Sequence, residues 1–279
     1  MNIFEAIILG FLQGLTEFVP VSSTAHVTIS GHLLGLINNN QQWTSFLAVI
    51  QLGTLIAIII YFFKDILNIS KSFFVENFTK NKKKLKEQSF EAKLGAYVII
   101  ASIPIVIVAL LFEKVIEGEG TKNLWVISIS LIIIAIALYI AERKAKLIKD
   151  LQNVGIKEAI IIGFAQCLAL IPGASRSGST IMASMFLGMK REAAARFSFL
   201  LSIPAIFGSG IYSFIKSLKY LNIHDFMILG IAVIISGIVG YLSISFLLNY
   251  LKSKTTMLFI IYRIIIGFTI IFLLIFNVI

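Results

Sequence analysis

The chain has 279 residues, of which 58% are hydrophobic and only 14% charged. Soluble domains carry about 25% charged residues, so this composition, with a mean hydropathy of +0.95, excludes an ordinary soluble fold and indicates an all-α polytopic membrane protein. The net charge of +10 does not argue for nucleic acid, because the basic residues fall in loops between apolar stretches, where membrane topology places them. The single Cys167 excludes an internal disulfide and any multi-cysteine metal site.

Taken in chain order, the first segment, 3–36, is not a clean span. It reads EAIILGFLQGLTEFVPVSSTAH from Glu5 to His26: an apolar helix, a Pro/Ser break, then a second short helix. It lacks a basic leader and a small-residue cleavage site, so it is expected not to be a cleavable signal. A full crossing takes about 20 mostly apolar residues. Stretches 43–63, 92–112, 124–142, 193–215, 226–249 and 256–276 qualify as six full transmembrane helices. Segment 156–189 repeats the broken pattern, with EAIIIGFAQCLALIPGASRSGST from Glu158 to Thr180. Both broken segments predict re-entrant helix–loop–helix hairpins, since non-helical backbone at membrane depth is tolerated only inside protein or along a cavity. Stretch 64–93 is read as a loop, its Lys80–Lys86 run solvated or touching anionic lipid. Pro104 and Pro204 are expected to kink their spans.

The two broken segments are related. At an offset of 153, Glu5, Ala6, Ile7, Ile8, Gly10, Phe11, Gln13 and Leu15 match Glu158, Ala159, Ile160, Ile161, Gly163, Phe164, Gln166 and Leu168. One deletion later, Pro20 falls on Pro172 and Ser23 on Ser175. The offset returns at Ser45-Phe46-Leu47 and Ser198-Phe199-Leu200. The chain therefore reads as one membrane domain, 1–279, with repeat 1 over about 1–146 and repeat 2 over about 155–279. If both hairpins are re-entrant, 18 of the 24 Lys and Arg residues lie on one side, which is then cytoplasmic. Only Lys114, Lys122, Lys216 and Lys219 lie on the other; Arg176 and Arg263 are intramembrane. Three spans in the first half invert the second, so the hairpins meet from opposite faces. Broken helices in inverted repeats mark a binding site.

The chemistry-bearing residues sit in these breaks. Arg176 lies among Ser175, Ser177, Ser179 and Thr180, with Gly173 and Gly178 allowing close backbone approach. Its fork suits phosphate oxygens, and a helix starting there aims N–H groups at an anion; a structural pairing with Glu17 is the plainer alternative. Glu17 follows Gln13 by four residues, on one helix face. It suits a divalent cation, proton transfer, or a partner role for Arg176. Ser23 and His26 share a face of the second short helix. A serine hydroxyl needs a nearby base or metal to attack; alternatively His26 attacks phosphorus, protonates the leaving group, or is structural. The second hairpin lacks the acid, with Leu170 in its place, so carboxylate and histidine come from one half and arginine from the other. His32 and His224 read as structural or interfacial, Glu5 and Glu158 as helix-start acids. Arg263 is expected to snorkel or to pair.

At these residues the chain resembles the undecaprenyl-diphosphate phosphatases, the bacitracin-resistance family of integral membrane enzymes. Gln13-Gly-Leu-Thr-Glu17, continuing to His26, is similar to the family's first motif, whose leading position is often Glu. Pro172–Thr180 is similar throughout to the second, Pro-Gly-x-Ser-Arg-Ser-x-x-Thr. The likeness covers essentially the whole chain. It implies hydrolysis of a C55 polyprenyl diphosphate to the monophosphate and phosphate, recycling the cell-wall carrier lipid. Bacitracin then competes for the substrate rather than binding the protein. It further implies a divalent cation, Mg²⁺ or Ca²⁺, held partly by Glu17. The site faces the outer side of the bacterial cytoplasmic membrane, and a homodimer is left open. Carried over, Glu17, Ser23, His26, Ser175, Arg176 and Thr180 form the site, with Gln13, Ser22, Thr24 and Ser177 as substrate-binding helpers. Ser23 is the expected nucleophile with His26 as base or acid, and a His26 nucleophile is second. The rival class is a transporter or flippase of a phosphorylated lipid or small anion, which needs anion donors but no nucleophile or base.

Overall fold

Asn2 starts the first helix with a capping box. Its side chain accepts from the Glu5 N–H at 2.9 Å, and the Glu5 carboxylate accepts from the Asn2 N–H at 2.7 Å. The computed structural model describes residues 1–37, 40–80, 82–116, 118, 123–219 and 222–276, without the side chains of 40, 41 and 224. Lys122 of the charge ledger and the His224 side chain lie outside the described residues. The helices run α1 (Ile3–Glu17), α2 (Ser23–Leu33), α3 (Asn40–Tyr61), α4 (Phe63–Phe78), α5 (Phe90–Leu111), α6 (Glu113–Ile116), α7 (Leu124–Lys144), α8 (Ile156–Gln166), α9 (Arg176–Phe186), α10 (Arg191–Ser217), α11 (Ile223–Leu251) and α12 (Met257–Ile275).

Six helices, α3, α5, α7, α10, α11 and α12, are long and apolar enough to cross a membrane. Their ends agree with the predicted spans to within a turn, because length and apolarity set them. The protein is thus an all-α, multi-pass membrane protein. One expectation fails: stretch 64–93 is not a loop, since α4 occupies its first half and packs on α5. Its lysines masked the apolar positions Ile69 and Phe73, which close on Gly95 of α5.

In lipid the usual amphipathicity is reversed. On α1, Phe4, Ile7, Phe11 and Leu15 face outward, whereas Gln13, Thr16 and Glu17 are buried. With a rise of about 1.5 Å per residue, neither α1 nor α8 reaches across a hydrocarbon core of about 30 Å. Each is instead seated on a long helix of the other half. Gly10 and Gly14 lie against the backbone of α11 at Ala232 and Ser236, and Gly163 lies against α5 at Ala101. A Cβ at Gly163 would stand 2.5 Å from the Ala101 carbonyl oxygen. Gly163→Ala should therefore destabilise the fold by about 1–3 kcal/mol through overpacking. That is read as a lower thermal midpoint in detergent. Gly208→Ala, which has open space around it, should not lower it.

The sequence offset of 153 recurs in the backbone. Asn2 and Gly155 cap α1 and α8; Ser22 and Ser175 cap α2 and α9; Gly35 and Gly188 follow the short helices with positive φ. The offset is unbroken across the motifs, so the deletion expected before Pro20 does not occur. Ser22, not Ser23, is the counterpart of Ser175, and Ser23 is that of Arg176.

Ion pairs gather at the basic end of the bundle. Glu142 of α7 accepts from Arg191 of α10, and from the Thr256 N–H and hydroxyl at 3.1 and 2.8 Å. Asp65 pairs with Arg196 at 2.9 Å. Lys149 reaches Glu158 at the start of α8, and its N–H donates to Gly188 just after α9 at 2.8 Å. The α8–α9 unit therefore begins and ends at this basic end. Through Gly10 and Gly14, α1 runs alongside α11 in the same direction, starting from the opposite end, where α11 begins.

Candidate active site

The two breaks meet beneath the helix ends. α1 stops at Glu17, ahead of Pro20, and the chain turns at Ser22, whose φ of 76° is left-handed. The second break turns at Ser175 with φ 72°. A non-glycine residue pays a steric cost there. In return each serine hydroxyl caps the next helix, Ser22 accepting from the Ala25 N–H at 3.3 Å and Ser175 from the Gly178 N–H at 3.0 Å. Ser23 and Arg176 thus become the first residues of α2 and α9, and both side chains reach the Glu17 carboxylate. Helix N-termini favour anions.

Glu17 is the hub, only 6% exposed. Its Oε2 accepts from Gln13 Nε2 and from the Ser23 hydroxyl, both at 2.6 Å. Its Oε1 accepts from the Arg176 guanidinium, which also donates to the Ser202 carbonyl at 3.2 Å. Arg176 and the buried acid Glu17 are therefore partners, the plainer of the two sequence alternatives for Arg176. Ser177 joins the halves by donating to the Val19 carbonyl at 3.2 Å and lies 3.1 Å from the Ser175 hydroxyl.

His26 shares α2 with Ser23 but does not touch its hydroxyl. Nδ1 lies 2.7 Å from the Ser22 carbonyl, which can only accept, so Nδ1 carries the proton. Nε2 then accepts from the Tyr262 hydroxyl at 2.7 Å, and the two rings stack at 5.5 Å. Thr24 is half-buried one position after Ser23. Thr180 is fully buried and spends its hydroxyl on Ser198 at 2.6 Å and the Arg176 carbonyl at 2.8 Å, tying α9 to α10. Its counterpart in rank, Ser179, is buried with an unpaired hydroxyl.

Arg263 corrects an expectation. It does not snorkel, and among the described residues no acid pairs with it. It is fully buried, and donates to Leu131, Pro20, Gly173 and Ala174 carbonyls at 3.0–3.2 Å. Tyr262 and Arg263 thus both reach the breaks from α12, which sequence reasoning placed only as an apolar span. The one available signal was an arginine inside that span.

Among the described residues, no three His, Cys, Asp or Glu side chains come together as a metal cage. Glu17, Gln13 and Ser23 instead offer one carboxylate with neutral oxygens. That set suits a hard cation which takes most of its ligands from substrate phosphate and water.

Fold and site together define a polytopic membrane protein with a buried Arg–Glu–Ser centre built from two helix breaks. The bacitracin resistance protein BacA family model matches residues 6–269. An undecaprenyl-diphosphatase of Syntrophobacter fumaroxidans is 48% identical over 269 residues, covering 96% of this chain and 95% of that protein. Those of Chloroherpeton thalassium and Prosthecochloris aestuarii are each 47% identical, covering 96% and 97% of this chain and 95% and 96% of those proteins. The chain belongs to the bacitracin resistance protein BacA family.

Proposed function

We propose that this protein hydrolyses undecaprenyl diphosphate to undecaprenyl phosphate and inorganic phosphate, and so recycles the carrier lipid of cell-wall synthesis. The observation that carries the reaction is the Ser23 hydroxyl donating to the Glu17 carboxylate at 2.6 Å, beside Arg176. A serine nucleophile needs an adjacent base, and here that base is Glu17 rather than the histidine expected beforehand. The isoprenoid tail lies along the lipid-facing helices while the diphosphate reaches the breaks. Arg176 exchanges Glu17 for the terminal phosphate, helped by the N–H groups at the start of α2 and α9. Ser23 Oγ attacks the terminal phosphorus and its proton passes to Glu17. The bridging P–O bond breaks, releasing undecaprenyl phosphate. Water then attacks the Ser23 phosphoester, frees phosphate and restores the hydroxyl. Positioning and charge stabilisation supply most of the rate in such transfers. His26 holds the Ser22 turn through Nδ1, with Nε2 bonded to the Tyr262 hydroxyl.

A divalent cation, Mg²⁺ or Ca²⁺, belongs to the same reading. Glu17, with Gln13, would hold it against the diphosphate, where it would neutralise developing negative charge. In this reading the charge ledger makes the basic end cytoplasmic and the hairpins re-entrant, and the family resemblance adds that hydrolysis takes place at the outer face of the cytoplasmic membrane. Bacitracin resistance then comes from removing the lipid diphosphate that bacitracin binds.

The direct test is phosphate release from a polyprenyl diphosphate by the purified protein in detergent. Release that EDTA abolishes and Mg²⁺ or Ca²⁺ restores is the expected result. A folded protein that binds the lipid diphosphate but releases no phosphate would move the transporter reading to first place.

A further inference from the structure

We infer that Arg263 is a positioning residue for the reaction: one buried guanidinium holds both helix breaks in register, so that Ser23 and Arg176 face the same phosphate. This rests on the phosphatase reading above. Three of the four carbonyls it binds lie immediately before the left-handed serines. Pro20 precedes Ser22 by two residues, and Gly173 and Ala174 lead directly into Ser175. The fourth, Leu131, anchors the group to α7 through Nε at 3.1 Å. The directions in which α2 and α9 leave their breaks, and hence the places of Ser23 and Arg176, are set against one rigid fork.

Two physical arguments separate this from ordinary packing. First, α12 is an apolar helix, and an uncharged side chain of similar length would fill the space without the cost of burying a charge. Among the described residues no carboxylate pairs with Arg263. A buried charge in a membrane span is kept for what it does. Second, the other charged link between the breaks, Arg176 to Glu17, must open when Arg176 takes the phosphate. The Arg263 fork touches neither Ser23 nor Glu17 and stays closed throughout. Because Arg176 and Glu17 neutralise each other, Arg263 also leaves the site with a positive charge toward an incoming anion.

The test compares Arg263→Lys and Arg263→Gln with the wild type in detergent. Lysine keeps the charge, but its single ammonium cannot bridge carbonyls of three segments as the planar fork does. Hydrogen–deuterium exchange is followed in peptides covering Ala25 and Gly178, and kcat and KM are measured for phosphate release. The expected result is that both breaks lose protection together, by about tenfold, while α7 and α11 keep theirs. In parallel kcat falls about 100-fold with little change in KM, the usual cost of a misplaced reacting group, and adding either Arg263 change to Ser23→Ala costs little more. Wild-type kcat in the lysine variant would overturn the fork, as would exchange rising equally across all helices. Lysine restoring what glutamine loses would reduce the role to charge alone. If the wild type itself releases no phosphate, the phosphatase reading fails, while exchange at the two breaks still decides whether Arg263 clamps them.

Discussion

Arg176→Ala is expected to lower phosphate release by about a thousandfold or more, the scale seen when an arginine that stabilises phosphoryl transfer is removed. Arg176 is the only one of the site's side chains that is both cationic and bonded to the buried acid, so no neighbour replaces it. The same change strands Glu17 as an unpaired buried carboxylate, at a stability cost of about 3–5 kcal/mol. The two effects are separable. Arg176→Ala with Glu17→Gln should regain the stability, read as the thermal midpoint in detergent, and none of the activity. A double variant that recovered phosphate release would overturn both the phosphate-binding role of Arg176 and the base role of Glu17. Arg176→Lys should also be poorly active, since an ammonium lacks the rigid planar fork that matches two phosphate oxygens.

Glu17→Gln is expected to reduce kcat by about 10²–10⁴, the contribution of a positioned general base. The amide keeps the size of the carboxylate and can still meet Gln13 and Ser23, so the fold should survive with a lower thermal midpoint, the buried Arg176 having lost its carboxylate. Ser23→Ala should lose at least as much. Combining the two should lose little more, because base and nucleophile act as one unit. Additive losses would mean that the 2.6 Å contact between them is not used in catalysis. A slow-turnover analogue should trap phosphate on Ser23. Phosphate on His26 instead would require Nε2 to leave Tyr262 and would reverse the order of the two mechanisms.

Much of the site was legible because the breaks are local. Pro20, Pro172, Gly173 and the hydroxyl clusters interrupt apolar helices within a few residues, and such interruptions in a membrane chain point to binding. Glu17 and Arg176 stood out for the same reason, as charges where lipid forbids them. The hydrogen-bond partner of Ser23 was not legible, and for a definite cause. Helical spacing placed His26 beside it on α2, but the left-handed turn at Ser22 draws His26 Nδ1 back to the Ser22 carbonyl, while the end of α1 brings Glu17 to the hydroxyl. The register of the repeats was misjudged. Matching prolines suggested a deletion, whereas the backbone keeps Ser22 and Ser175 in the same left-handed, capping geometry.

By itself the sequence determined what depends on composition and on neighbours along the chain. This covers the membrane class, six spans bounded by apolar length, two related broken segments, and the charged and hydroxyl side chains placed within them. Only the tertiary structure decided which groups share protons and which hold the breaks. It seated α1 on α11 and α8 on α5, tied Glu17 to a serine and to an arginine 159 positions away, and brought Arg263 to carbonyls of both halves. The reason is physical. Hydrophobicity in lipid decides whether a helix crosses but is nearly indifferent to its neighbours, which are chosen by close glycine contacts and by buried polar groups finding partners. Those choices depend on positions far apart in the chain, and no local pattern encodes them.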